Sequence, residues 1–228
     1  MIRGNGLLAT AFSQDFGADS SVLIFACGVS NSSETDPAAF YREMQLLETA
    51  LCDTAPLVYF SSCALVNSPD ADNAYLSHKR KMEAMVLEAS SKNLVLRLPQ
   101  VVGRTPNPNT LTNFLAKCIR EGTHFSVWAK AERNLIDVDD IVAISRELIR
   151  STPLKERVIA VASPYSLPMP KIIALFEQSM GRKAIHSLVD KGSPLQVDCA
   201  ISLSVAGAAG VNFDNQYAAH VIEKYYGY

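Results

Sequence analysis

Tyr75 and Lys79 stand four positions apart in Tyr75-Leu76-Ser77-His78-Lys79, which sets a phenol beside an ammonium on one helical face. A phenol ionises near pH 10 and is a poor acid–base group at neutral pH. A neighbouring ammonium favours the phenolate and brings that ionisation down. By itself such a pair reads as surface decoration rather than catalysis. Its setting gives it more weight: the helix carrying it follows the apolar run Leu57–Ser61, whose carboxyl end reads Ser61-Ser62. A hydroxyl there could hold a substrate oxygen that Tyr75 protonates.

A second group lies at the N-terminus. Gly4, Gly6 and Ala9 fit the pattern G-x-G-x-x-G/A. Gly4 would permit a tight turn, Gly6 would let a pyrophosphate approach the backbone, and Ala9 would let a helix pack closely. Asn5, Leu7 and Leu8 complete this loop and the helix start, where free N–H groups attract an anion. The plainer alternative is a glycine turn before a helix. Asp137, Asp139 and Asp140 start a helix and read as capping and dipole matching, and the scattered histidines lack ligand spacing. No metal site is expected.

Alternating elements must position these groups. Buried strands are predicted over Ser21–Cys27, Leu57–Ser61, Leu94–Leu98, Phe125–Trp128 and Arg157–Ala162. Helices are predicted from Pro37, capped by Asp36, with Phe40, Met44, Leu47 and Leu51 on one face. Others cover Asn73–Ser90, Thr110–Glu121, Asp139–Arg150, Pro170–Met180 and about Asp214–Tyr226, while 190–212 carry no pattern. Strands apolar on both faces, alternating with helices, imply an α/β fold with a doubly wound parallel sheet. Ligands in such sheets bind beyond the carboxyl ends of the strands.

Composition bounds the rest. Of 228 residues, 48% are apolar and 19% charged, which excludes a disordered chain, and a net charge of −2 gives no basic stripe for nucleic acid. No apolar run approaches the roughly 18 residues of a membrane span. The stretch after Arg3, broken by Gly4 and Gly6, is too short for a secretion leader. Five cysteines, odd in number and without a C-x-x-C pair, point to reduced thiols in the cytoplasm.

Four segments, in order, resemble the extended short-chain dehydrogenase/reductases, also called the NAD-dependent epimerase/dehydratase family. Val58-Tyr59-Phe60-Ser61-Ser62 is similar to its serine strand, and Tyr75–Lys79 with Glu83 to its Y-x-x-x-K…E helix. Leu96-Arg97-Leu98-Pro99-Gln100-Val101-Val102-Gly103 resembles its LRPxNVxG segment, and Arg133–Asp140 its RDFIHVDD segment. The resemblance implies a Rossmann-like domain over 1–228, with a small C-terminal substrate lobe built mainly from 104–135 and 163–228.

It further implies that Tyr75 is the acid–base residue, that Lys79 lowers its pKa and holds the nicotinamide ribose, and that Ser62 orients the substrate oxygen. Ser61 or Cys63 takes the role of Ser62 if the register slips. Gly4, Asn5, Gly6, Leu7, Leu8, Cys27, Gly28, Ser61 and Pro99 would line NAD or NADP, and Arg133 would meet the phosphates of a nucleotide sugar. Cys63-Ala64 stand where dehydratases of the family carry Asp-Glu.

The activity implied is an NAD(P)-dependent oxidoreductase on a nucleotide-activated sugar, most simply a 4-keto-sugar reductase. An epimerase, or a non-catalytic dinucleotide-binding protein, is the alternative. About a dozen residues separate Ala9 from Val22, too few for a further crossover, and the acid expected on the adenosine ribose is missing. The adenosine half of the site is therefore expected to be reduced. Tyr217, Val221, Ile222, Tyr225 and Tyr226 form a helical stripe that serves either the core or a homodimer face.

Overall fold

The computed structural model describes residues 1–66, 73–151 and 156–227. Strand β1 (Ile2–Arg3) leads to α1 (Leu7–Phe16), β2 (Leu23–Phe25), α2 (Pro37–Leu51) and β3 (Leu57–Ser62). A short turn over Cys63–Leu65 precedes α3 (Ala74–Ala89), β4 (Leu94–Leu98), β5 (Gln100–Val102), α4 (Leu111–Glu121), β6 (Phe125–Trp128) and β7 (Glu132–Asp137). The chain continues through α5 (Val138–Arg150), β8 (Val158–Ala160), β9 (Ser166–Pro168), α6 (Met169–Met180), β10 (His186–Val189), α7 (Ala200–Ala206) and α8 (Tyr217–Tyr226).

The main sheet is parallel throughout, in the order β1-β2-β3-β4-β8. Its strands are apolar on both faces because both are covered. Leu23, Phe25, Leu57, Tyr59 and Val95 pack against Leu47 of α2 and Met82 and Val86 of α3. Ile24, Val58, Phe60, Leu94 and Leu96 turn the other way, onto Phe12 of α1 and Ile141, Ile144 and Leu148 of α5. This two-residue alternation gives the doubly wound α/β arrangement.

Local sequence sets the helix starts. Asp36 accepts from the Ala38 N–H ahead of α2, Asn73 from Leu76 ahead of α3, and Thr110 from Asn113 ahead of α4. Gly122 and Gly181 end α4 and α6 in the left-handed conformation.

A second layer follows β4. Strands β5, β7 and β9 form one small sheet, and β6 and β10 another. Leu115, Ile119, Phe125, Leu135, Ile172, Phe176 and Ile222 form its core. Tyr217, Val221 and Ile222 are buried there. The hydroxyls of Tyr225 and Tyr226 bond Asp137 and Thr112, so the C-terminal stripe is spent on the chain's own packing.

Several expected boundaries move. The strand expected over Ser21–Cys27 narrows to Leu23–Phe25, the three residues that pair with Leu57, Val58 and Tyr59 of β3. The last helix starts at Tyr217, after a turn closed by the Tyr217 N–H on the Asp214 carbonyl. Residues 190–212, expected to lack pattern, hold α7. Strands β5, β7, β9 and β10 were not expected from the sequence: three span four residues or fewer, β9 contains Pro168, and β7 opens on Glu132 and Arg133. Among the described residues no helix is long and apolar enough to cross a membrane.

Two glycines of the N-terminal loop differ in what holds them. Gly4 has φ +129°, and a Cβ there would lie 2.4 Å from the Ala26 carbonyl oxygen. Gly6 has φ −84° and open space at its Cβ position. Gly4→Ala should therefore destabilise the fold by about 1–3 kcal/mol, and Gly6→Ala should stay within about 0.5 kcal/mol of the parent. Urea unfolding of both variants checks the contrast.

Candidate active site

Residues at the carboxyl ends of β2 and β3 meet the first turns of α3. The Asn73 cap starts α3 two residues before Tyr75 and places the phenol over the end of β3. Of Ser61, Ser62 and Cys63, it is the half-buried Ser62 whose side chain lies near enough to the Tyr75 phenol to lower its pKa, while accepting from the Ala64 N–H at 3.2 Å. Ser61 Oγ is buried without a hydrogen-bond partner. The Cys63 thiol donates to the Arg97 carbonyl at 3.3 Å, and burial pushes its pKa up to about 12.

Tyr75 departs from the expectation of a lowered pKa. Burial raises it to about 12, the nearby Ser62 side chain opposes this, and the Glu43 charge adds to it. Lys79 lies over the Tyr75 ring, with Nζ 5.8 Å from its centroid, but its charge is matched by Glu43.

Glu43 on α2 is the group that sequence reasoning missed. It is fully buried and accepts from the Val29 N–H at 2.6 Å, the Tyr59 hydroxyl at 2.7 Å and Lys79 Nζ at 3.0 Å. His78 Nε2 stands 3.0 Å from its other oxygen. Burial alone would raise its pKa, yet the His78 bond, the Lys79 charge and the remaining donors hold it down to about 2. Lys79, 2% exposed, also donates to the Tyr59 hydroxyl at 3.0 Å. Burial draws the Lys79 pKa down, with Glu43 resisting.

His78, between Tyr75 and Lys79 in sequence, shares this carboxylate and stacks on Phe40 with ring centroids 4.7 Å apart. The available signal was register: Glu43, Leu47 and Ala50 fall on the buried face of α2, where an acid is out of place.

Gly28 presses its backbone on this pair. A Cβ there would stand 2.9 Å from Lys79 Nζ and 3.2 Å from Glu43 Oε1. Cys27 precedes it with a pKa raised first by burial and then by Glu43. Pro99 joins β4 to β5, while Glu83 binds Arg97 through both carboxylate oxygens at 2.8 and 2.6 Å.

At the N-terminus, Gly6 is the N-cap residue of α1, and no side chain closes that end. Open space at Gly6 and uncapped N–H groups at Leu7 and Leu8 fit a pyrophosphate. Beside them, at the β1 edge of the sheet, lies a concavity of about 340 Å³ lined by Ile2, Gly4, Asn5, Ala9, Thr10, Ser13 and Gly17. That lining offers hydroxyl and amide groups and no carboxylate.

Arg133 stands in the second layer, in a concavity of about 190 Å³ walled by Phe114, Phe125, Trp128 and Met169. Burial lowers its pKa, and it donates to the Glu132 carbonyl at 2.7 Å. Asp137 caps α5 and, with Asp139, binds Lys224 at 2.7 Å each. These carboxylates are engaged in holding α8 against β7.

The Glu43 carboxylate has a pH signature. A folded-state pKa of about 2 against an ordinary 4.5 means that its contribution is full above pH 4.5 and is lost as pH falls toward 2. The stability of the parent over Glu43→Gln should shrink by about 3 kcal/mol across that window. Paired denaturant titrations between acid and neutral pH test this; a constant difference would contradict it.

The profile of the NAD dependent epimerase/dehydratase family matches residues 2–162. No curated protein sequence matches. Among solved structures, a UDP-galactose 4-epimerase superposes with TM-score 0.71 at 14% identity, covering 94% of this chain and 79% of its own. The UDP-glucuronic acid 4-epimerase from Bacillus cereus, in complex with UDP-glucuronic acid and NAD, gives 0.68 at 15%, covering 97% and 77%. RMD from Pseudomonas aeruginosa, complexed with NADPH, gives 0.65 at 16%, covering 98% and 86%. At such identities the superpositions speak for the fold, and the profile, spanning most of the sequence, speaks for descent: the chain belongs to the NAD dependent epimerase/dehydratase family.

Proposed function

We propose that this protein is an NAD(P)-dependent oxidoreductase acting on a nucleotide-activated sugar, in its simplest form a 4-keto-sugar reductase. The observation carrying this reading is the meeting of Ser62, Tyr75 and Lys79 at the carboxyl end of β3. Gly4, Asn5, Gly6, Leu7 and Leu8 would hold the pyrophosphate of the dinucleotide, and Cys27, Gly28, Ser61, Lys79 and Pro99 its nicotinamide half. A nicotinamide bound there supplies or accepts hydride.

The chain's own groups handle the proton and the substrate. Ser62 holds the substrate oxygen, and Tyr75 delivers a proton to it. A phenol held at about 12 stays protonated at neutral pH, which suits a proton donor in a reduction. An epimerase would start by oxidising the substrate and would need the phenolate first. Cys63 and Ala64 stand where dehydratases of the family carry Asp-Glu, and the Cys63 thiol is already spent on the Arg97 carbonyl.

Arg133 supports the nucleotide-sugar part. Its guanidinium suits a diphosphate, and the exposed rings of Phe114 and Trp128 in the same concavity suit a base. The five unpaired thiols suit a reducing cytoplasm. One observation favours a non-catalytic dinucleotide-binding protein instead: Lys79 is 2% exposed and already bound by Glu43 and Tyr59.

Tyr75→Phe separates the two readings. With a nucleotide 4-keto sugar and reduced cofactor, turnover followed by nicotinamide absorbance should fall by at least about 100-fold, with cofactor affinity unchanged. Equal turnover in parent and variant would sink the assignment of Tyr75. Arg133→Ala should weaken binding of UDP, used as a probe in calorimetry, by about tenfold or more. Unchanged UDP binding would remove Arg133 from the substrate site.

A further inference from the structure

Glu43 has no part in the reaction as proposed, yet it is tied into the site more tightly than any other group. Its Oε1 receives the Tyr59 hydroxyl and Lys79 Nζ; its Oε2 receives the Val29 N–H and faces His78. Stability alone does not call for such a group, because a buried ion pair seldom improves on apolar packing of the same volume. An apolar residue in register with Leu47 and Ala50 would serve the core. A charged cluster placed beside a candidate acid–base residue asks for a role there.

Lys79 shows what that role is. An ammonium carries three N–H donors. Two are spent, on Glu43 and Tyr59, which fixes the direction of the third. Gly28 closes in from the β2 side, so the ammonium cannot swing that way without meeting backbone. We propose that Glu43 is the positioning residue of the site: it fixes Lys79 for a dinucleotide ribose and keeps it charged, while cancelling that charge at Tyr75. The ribose part of this inference rests on the dinucleotide reading above; the control of Lys79 does not.

The groups facing Lys79 are Glu43 from α2, Tyr59 from β3, and Tyr75 and Glu83 from α3, while Cys27 beyond β2 and His78 from α3 border Glu43. Glu83 is already engaged by Arg97 of β4. Glu43 is thus the carboxylate in direct contact with the ammonium, and removing its charge leaves Lys79 buried without a counter-ion.

The test has two arms. Side-chain NMR of Lys79, assigned by its loss in Lys79→Met, follows the ammonium through a pH titration without any ligand. Glu43→Gln should lower the Lys79 midpoint by about two pH units or more, and Glu43→Asp should restore most of it. A purely structural Glu43 would leave the midpoint in place, and that result overturns the proposal. If Glu43→Gln does not fold, Glu43→Asp and Tyr59→Phe are compared: Tyr59→Phe, which keeps the carboxylate, should hold the midpoint within about one unit, and a larger drop overturns the proposal.

The second arm titrates parent, Glu43→Gln, Lys79→Met and the double variant with NADH and NADPH. Glu43→Gln should weaken binding about tenfold, increasingly so at alkaline pH, and should add nothing in the Lys79→Met background. Additive losses overturn the positioning role. A shifted Lys79 midpoint with no binding by the parent upholds Glu43's control of Lys79 and overturns the dinucleotide reading.

Discussion

A carboxylate without solvent must find a donor for each lone pair or take up a proton, and Glu43 finds four groups on three different parts of the chain. The Val29 N–H comes from the loop after β2, the Tyr59 hydroxyl from the sheet, and His78 and Lys79 from α3. Losing any one leaves a buried charge short of a partner. The requirement fixes how α2 and α3 lie on β2 and β3, and with them the place of Tyr75 over the end of β3. The site is therefore set by this charged cluster within the apolar packing of α2 and α3 on one face of the sheet, and by apolar packing on the other, where Phe12, Phe60 and Ile141 meet.

The same constraint shapes the chemistry. Lys79 carries the charge that would pull a tyrosine toward phenolate, but Glu43 lies 3.0 Å from it and offsets that charge at Tyr75. The phenol is left protonated beside Ser62. Across the second layer, the carboxylates starting α5 are bound by Lys224 and Tyr225. That clasp holds α8 over β7, the strand that carries Arg133, so both halves of the proposed site depend on a buried acid, Glu43 or Asp137, meeting a lysine.

Much of this could be read from the residues. Strands β3 and β4 and helices α2 and α3 fall within a residue of expectation, because the strands are apolar runs and each helix opens on a capping side chain. Ser62, Tyr75 and Lys79 were legible because their types and order carry chemistry. Glu43 and His78 were not: a Glu or His on a helix reads as solvated unless its register with the buried face is checked, and the donors that satisfy Glu43 lie 14 to 36 residues away. The lowered pKa expected of Tyr75 failed for the same reason, since it counted Lys79 without its counter-ion. Short strands such as β9 and β10 owe their existence to partners in the second layer and leave little periodicity in the sequence.

The proposed chemistry requires that the Gly6 loop and the Lys79 end of the site together hold a nicotinamide dinucleotide. Titration of the purified protein with NADH and with NADPH, followed by nicotinamide fluorescence, tests it directly. One of the two should bind at micromolar strength, about −8 kcal/mol. No binding of either up to millimolar concentration would contradict the account.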